Sequence, residues 1–472
     1  MIKYISKYWF MAFAAMLVLV TACKKEFPEN VESSDEVVLK SIKIVNVGAD
    51  GNGIVEGTID ENRKTVSFPR LDTATDFSQI RFVAEMSNGA KLDQEAYAFD
   101  FAEGESVKSR VIKVINNKRF REYMVTLRLL IPVWGADFTK AEIFDYTKND
   151  LGNPLYPAFV SLQTRGTGFD GEHVLIVTRN AMGSHLLKVS DLKQNNPTVI
   201  PLNLTGVSGG TFPVNVGAQV AGHTYIANLS GNSAASPIKI YHWTDPSAEP
   251  ELISTFGVVE GGGARYGDNM SVNLDENGNG YIFMGDNAVS KLIRLKVTNY
   301  TTITEPTVLT NASGSTFVMS FNQVGNTPDY IYTGYEAPIR VANESATISY
   351  ALSNTAVPMK GSDARVITFN QERYLIMTSA ARTGSDAVVL YVYDITKGDN
   401  VVDALKLFDA KSDKSPVFQY SLLGPVNAAP STQTGWYVTK DAEGKDDKLT
   451  LYTASADAGF VLIDFPKKKL ED

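Results

Sequence analysis

One cysteine, Cys23, stands among 472 residues. That excludes an intramolecular disulfide and any metal centre built from several thiolates. Histidine is almost as scarce. His173, His185, His223 and His242 are the whole set, with no HxxxH or HExxH spacing, so a dedicated transition-metal site is not expected. The glycines Gly261 to Gly263 lack the strand–helix context of a phosphate-binding loop. Basic tracts are missing apart from Lys467-Lys468-Lys469, and the formal net charge is −9. An acidic surface disfavours nucleic acid and anionic lipid as partners. What remains is an ordinary globular balance, 44% hydrophobic and 21% charged, in a chain long enough for two or three domains.

The cysteine has a context. Lys3 and Lys7 precede an apolar run, Trp9 to Val20, too short to span a bilayer comfortably. Val20-Thr21-Ala22-Cys23 then resembles the bacterial lipobox, which implies cleavage after residue 22 and a lipid anchor on Cys23. Residues 1–22 are therefore expected to be a lipoprotein signal peptide. Residues 23–36 are polar and acidic, with Pro28, Asn30, Ser33 and Ser34, and read as an acylated tether without a core of its own. The expected location is the cell envelope, on the outer membrane.

From residue 37 to 131 the pattern alternates apolar and polar residues: SIKIVNV, KTVSFP, IRFVAEM, SRVIKVI and YMVTLRLL. Six or seven short strands with Gly, Asn and Asp turns predict an antiparallel, immunoglobulin-like β-sandwich, a spacer between anchor and the next domain. Residues 132–472 carry an internal repeat. Six units start at Pro157, Phe212, Met270, Thr316, Asp363 and Val417, each a strand, a turn and a second apolar strand, with a third strand following in most. Such spacing predicts a β-propeller. Six blades are favoured, and a seventh, or an extra edge strand, would draw on AEIFDYT near residue 142. A long sandwich or β-helix fits the spacing less well. The fold class is all-β throughout.

With this layout the chain resembles uncharacterised Bacteroidetes lipoproteins that pair an immunoglobulin-like module with a propeller and accompany polysaccharide-uptake systems. The resemblance implies a glycan or an outer-membrane transporter complex as partner and carries no catalytic signature.

The stretch LDENGNGYIFMGDN, from Leu274, is close to a calcium-loop pattern, with Asp275, Asn277, Asn279 and an acid, Asp286, at the twelfth position. Both flanks alternate at period two, so it reads as a hairpin turn, with calcium on Asp275, Asn277 and Asn279 as the minor alternative. Propeller geometry puts the loops after each second strand, and those before each first strand, on one face. Those loops bring together Arg179, His185, Asn228, Arg265, Tyr266, Asp268, Asp286, Asn287, Tyr335, Glu336, Asp363, Arg365 and Arg382. Mixed guanidinium, carboxylate, amide and phenol groups suit sugar hydroxyls and ring faces. The bland alternative is that these groups satisfy one another. A hydrolase or lyase reading would draw on an acidic pair among Asp268, Asp286, Glu336 and Asp363, and a third reading is a protein-binding scaffold. Trp243 and Trp436 read as packing residues.

Overall fold

The structure, a computed structural model, describes residues 35–102, 104–147, 156–384 and 386–469. The expected signal peptide, Cys23 and nearly all of the 23–36 tether lie outside these residues. The chain divides into two units, Met1–Pro132 and Val133–Asp472.

In the first unit, Gly53–Glu56, Leu39–Val47 and Phe82–Met86 form one antiparallel sheet. A second sheet runs Thr58–Asp60, Thr65–Ser67, Arg119–Leu130, Val107–Asn116 and Lys91–Leu92. Alternation buries one face of each strand, so Ile42 and Ile44 meet Ile112, Val114, Tyr123, Val125 and Leu127 around Phe82 and Phe99. The predicted antiparallel arrangement needs correction at two places. Thr65–Ser67 and Leu71–Asp72 pair in parallel with the last long strand, at Met124–Thr126 and Leu129–Leu130. Alternation decides which face is buried and is blind to the direction of the partner strand.

Among the described residues the second unit holds six sheets. Sheet one is Thr164–Phe169, His173–Thr178, His185–Lys188 and Val199–Pro201. Sheet two is Phe212–Val220, His223–Leu229, Ile238–Trp243 and Glu251–Phe256. Sheet three begins Ser271–Leu274, Gly280–Gly285 and Lys291–Thr298, sheet four Phe317–Gln323 and Tyr330–Tyr335, sheet five Gly361–Phe369, Glu372–Ser379 and Val389–Asp394. Sheet six is Thr432–Lys440, Asp446–Ser455 and Gly459–Pro466, and its outer strand is Glu142–Thr147 from the start of the unit. The first strands of successive sheets touch, and the first strand of sheet six touches that of sheet one, which closes a propeller-like ring. Second strands such as VLIV (174–177) and LIM (375–377) are buried end to end, because neighbouring sheets cover both of their faces.

Two expectations shift, and a third, AEIFDYT, takes one of its two anticipated forms. Five repeat units fall within a few residues of a first strand, but Val417 does not. Phe418–Ser421 is the outer strand of sheet five, and the sixth first strand is Thr432–Lys440, so Trp436 lies in a first strand and 441–445 form the turn on the opposite face. A helix, Val401–Asp409, capped by the Asn400 side chain and burying Val401, Ala404, Leu405 and Phe408, interrupts sheet five. Its nine residues are too few to stand out among strands. AEIFDYT adds an edge strand to sheet six.

The histidines near sheet two make one stability prediction. His223 Nδ1 and His242 Nε2 lie 2.8 Å apart, and His223 stacks on Tyr300 at 3.7 Å between ring centroids. Burial, then the neighbouring His223, holds the His242 pKa down at about 4 against an ordinary 6.5. Between those values the unfolded chain binds a proton that the fold refuses, so stability rises with pH across that window. Acidification from pH 6.5 to 4 should cost about 2 kcal/mol at this site, moderated by the exposed Glu251 carboxylate 4.0 Å from Nδ1. Denaturant titrations should show His242→Gln flattening the slope; an unchanged slope would refute the assignment.

Candidate functional site

The six first strands surround a cavity of about 120 Å³. At roughly 10–15 Å³ per water it has room for about ten small groups. Its walls are polar, with Arg165, Asp268, Asn322, Asp363, Arg365 and Gln433 contributed from different sheets. Glycines let the walls come close. A Cβ on Gly168 would stand 2.3 Å from the Gln219 nitrogen, and one on Gly166 2.5 Å from the Gly217 nitrogen.

Asp363 lies in this wall, 5% exposed. Its Oδ1 accepts from Asn322 Nδ2 at 2.7 Å, and its Oδ2 accepts from the Thr434 nitrogen at 2.6 Å and Thr434 Oγ1 at 2.9 Å. One carboxylate thereby ties sheets four, five and six together. Arg365 also lines the cavity and donates from Nε to the Thr434 carbonyl at 3.0 Å.

A cationic group gathers where sheets one, two and three meet. Arg265 donates to Asp268 Oδ2 from Nε at 3.0 Å and Nη2 at 2.8 Å. Arg165, from the first strand of sheet one, reaches Asp268 Oδ1 only at 3.8 Å. It donates from Nη1 to the Ala429 carbonyl at 2.7 Å. Arg179 follows the second strand of sheet one, bonds Asn215 Oδ1 and lies 3.4 Å above the Phe212 ring. Asn215 in turn donates to the Gly267 carbonyl at 2.5 Å. Burial lowers the Arg165 and Arg179 pKa values, the latter to about 10, and both stay charged at neutral pH.

A second group lies between sheets four and five. The Tyr335 hydroxyl donates to Asp386 Oδ2 at 2.5 Å. It accepts from Lys360 Nζ at 3.2 Å, which also reaches Glu336 Oε1 at 3.1 Å. Thr316 Oγ1 donates to Glu336 Oε2 at 2.8 Å, and these bonds, the threonine first and the lysine next, hold the Glu336 pKa down. Arg382 lies 4.0 Å over the Phe317 ring and donates to the Ala428 carbonyl at 3.1 Å.

The remaining candidates build loops and core. His185 is fully buried, its Nε2 2.7 Å from the Tyr156 hydroxyl and its Nδ1 2.7 Å from the Gly183 carbonyl. Asn228 is fully buried and bonds the Pro237 carbonyl and the Lys239 nitrogen. Tyr266, also buried, accepts from the Gly263 nitrogen at 2.8 Å. Asp286 is 3% exposed. Its carboxylate accepts from the Ser290 nitrogen at 2.7 Å, Ser290 Oγ at 3.0 Å and the Lys291 nitrogen at 2.8 Å, so it orders its own loop. Asn287 beside it is exposed. At the other end of that hairpin, Asp275 Oδ1 accepts from the Asn277 nitrogen at 2.9 Å and the Asn279 nitrogen at 2.8 Å. With Gly278 at φ 72°, this is the chemistry of a tight turn. Among the described residues no three His, Cys, Asp or Glu side chains gather as a metal set. Trp243 is buried in the core between sheets one and two and donates to the Asn203 carbonyl at 3.0 Å.

Sequence reasoning missed Arg165, Asn215, Lys360 and Asp386. The available signal was a charged or amide residue inside an otherwise buried first strand, such as Arg165 in TRGTGF or Asn322 in FVMSFNQ. Burial there makes sense only if the strand faces a polar cavity.

Comparison with known proteins gives a near relative among more distant ones. The crystal structure of a DUF4623 family protein from Bacteroides eggerthii is 40% identical, with 92% of this chain and 99% of that one aligned at a TM-score of 0.79. A calcium-binding protein, regucalcin, from Agrobacterium tumefaciens aligns at 11% identity over 72% of this chain and 98% of its own, with a TM-score of 0.37. An endo-arabinase from Bacteroides thetaiotaomicron aligns at 11% identity over 67% and 96%, with a TM-score of 0.33. At that distance neither says what this chain binds. No curated protein matches it. Residues 25–468 match the family described as a domain of unknown function, DUF4623, and the chain belongs to that family.

Proposed function

We propose that this protein is an outer-membrane lipoprotein, anchored through Cys23, that binds a glycan at the mouth of the central cavity of its second unit. In this reading the second unit is a six-bladed propeller and the first an immunoglobulin-like spacer. The protein works in glycan uptake, alone or as accessory to an outer-membrane transporter. The observation that carries the binding role is the cavity itself, about 120 Å³, bordered by every first strand and lined by amide, hydroxyl, carboxylate and guanidinium groups. Such groups pair with sugar hydroxyls in both donor and acceptor roles.

Binding is favoured over hydrolysis because each acid is engaged by its own neighbours. Asp363 serves Asn322 and Thr434, Asp286 serves Ser290 and Lys291, Asp268 serves Arg265, and Glu336 serves Lys360 and Thr316. Glycoside hydrolysis needs two carboxylates set about one bond.

Affinity electrophoresis against a panel of host and plant polysaccharides, followed by product analysis, tests the proposal. Retardation without released oligosaccharides is expected. Asp286→Ala, which loosens only its own loop, should leave retardation unchanged. Release of oligosaccharides that Asp286→Ala abolishes would establish an enzyme instead. Absence of retardation on every polysaccharide would leave the protein-binding scaffold.

A further inference from the structure

The cation group beside the cavity is out of balance with the rest of the chain. The protein carries 53 acidic against 44 basic residues, yet three guanidinium groups gather near one carboxylate, Asp268, which Arg265 meets at 2.8 Å and Arg165 at 3.8 Å, with Arg179 nearby on Asn215. Asp268 is the acid facing Arg165 and Arg179, and the positive charge of Arg265 beside them opposes theirs. Asp268 is itself spent on Arg265, at 2.8 and 3.0 Å.

The hydrogen bonding is equally incomplete. Arg165 is 5% exposed, yet it uses one of its N–H groups, on the Ala429 carbonyl. Its Nε, and that of Arg179, are buried without a hydrogen-bond partner. A guanidinium offers five donors in a fixed planar fork, and leaving even the Nε–H unpaired while it is shut off from water is costly. Arg165 lines the cavity. Structural arginines at this depth are ordinarily consumed by carbonyls or by matched acids.

We infer that the edge of the cavity between sheets one, two and three is an oxyanion site, and that the ligand is an acidic saccharide bearing a carboxylate or sulfate group there. The saccharide half of this statement rests on the function proposed above; the anion site stands on the arginines alone. Two-point donation from a planar fork matches the oxygens of such a group, and its negative charge offsets the cationic excess. The neutral parts of the cavity wall, Asn322 and Gln433 among them, are left for hydroxyls.

Isothermal titration with a uronate oligosaccharide, a sulfated oligosaccharide, a neutral oligosaccharide of equal length and inorganic sulfate separates the outcomes. At least one acidic oligosaccharide should bind about tenfold or more tightly than the neutral one, and lose affinity as salt is raised. Preference for the uronate assigns a carboxylate ligand, and preference for the sulfated chain a sulfate. Arg265→Gln, at an exposed position, and Arg179→Gln should each weaken acidic-ligand binding about tenfold with the melting point checked in parallel. Asp268→Asn gives the sharper test. It removes the one acid in the group, so anion affinity should rise severalfold, whereas a purely structural role predicts no gain. Equal binding of neutral and acidic chains, unaffected by the arginine changes, would overturn the anion site and leave the glycan reading standing. Binding of inorganic sulfate with no binding of any oligosaccharide would keep the anion site and remove the glycan. No binding of any anion to the folded protein overturns the inference.

Discussion

Asp363→Ala should lower the melting temperature of the second unit by several degrees, at a cost of about 4 kcal/mol. The carboxylate is 5% exposed and accepts three hydrogen bonds, from Asn322 Nδ2 and from the nitrogen and hydroxyl of Thr434. Alanine strands the nitrogen and hydroxyl of Thr434 and leaves Asn322 Nδ2 with the Ala364 carbonyl alone, in first strands of the two sheets that flank Asp363. Each abandoned donor carries a desolvation penalty of about 1–3 kcal/mol, and partial refilling by water keeps the sum below the maximum. Asp363→Asn retains an acceptor oxygen and should recover about half of the loss. The pair of variants separates two roles for a residue that sequence placed in a ligand site. A melting point unchanged in both, accompanied by lost ligand binding, would make Asp363 a ligand contact and defeat the structural assignment.

Gly168→Ala should be nearly as damaging, by about 3 kcal/mol. The reason is space. An added Cβ would stand 2.3 Å from the Gln219 nitrogen and 2.9 Å from the Ala218 carbonyl carbon, and a backbone cannot swing aside as a flexible side chain does. The first strands of sheets one and two would have to separate, and the separation would propagate round a ring closed by the pairing of Glu142–Thr147 with Gly459–Pro466. Gly183→Ala is the useful comparison, because its Cβ would meet nothing within 4 Å and only its φ of 71° opposes the change; a cost of about 1 kcal/mol is expected there. Equal losses at the two positions in denaturant titrations would show that contact between the first strands is not what limits the ring.

Much of the fold was legible because its signals are local. Period-two stretches such as SIKIVNV identify strands buried on one face, and runs such as VLIV identify strands covered on both. Asp275 to Gly280 is self-contained turn chemistry, and its hydrogen bonds close within the turn. Where reading failed, the deciding partner was remote. Phe418–Ser421 looks like the first strand of a new unit because nothing local says that it pairs backwards with Val389–Asp394 across an intervening helix.

The site divides along the same line. Loop position brought Arg179, Arg265 and Asp268 to one face on paper, and the structure gathers them with Arg165. The same rule nominated His185, Asn228 and Tyr266, which are buried and bonded to loop backbone, and it could not nominate Arg165, which lies in a strand. By itself the sequence determined an all-β chain, a repeated hairpin unit and the residue types available to a polar face, since periodicity and turn chemistry act over a few residues. Only tertiary structure decided which strand closes the ring, which polar groups face the cavity and which guanidinium groups are left unmatched. Those depend on hydrogen bonds and charge meeting across sheets that are distant in sequence, and no local pattern encodes where a partner from another sheet will stand.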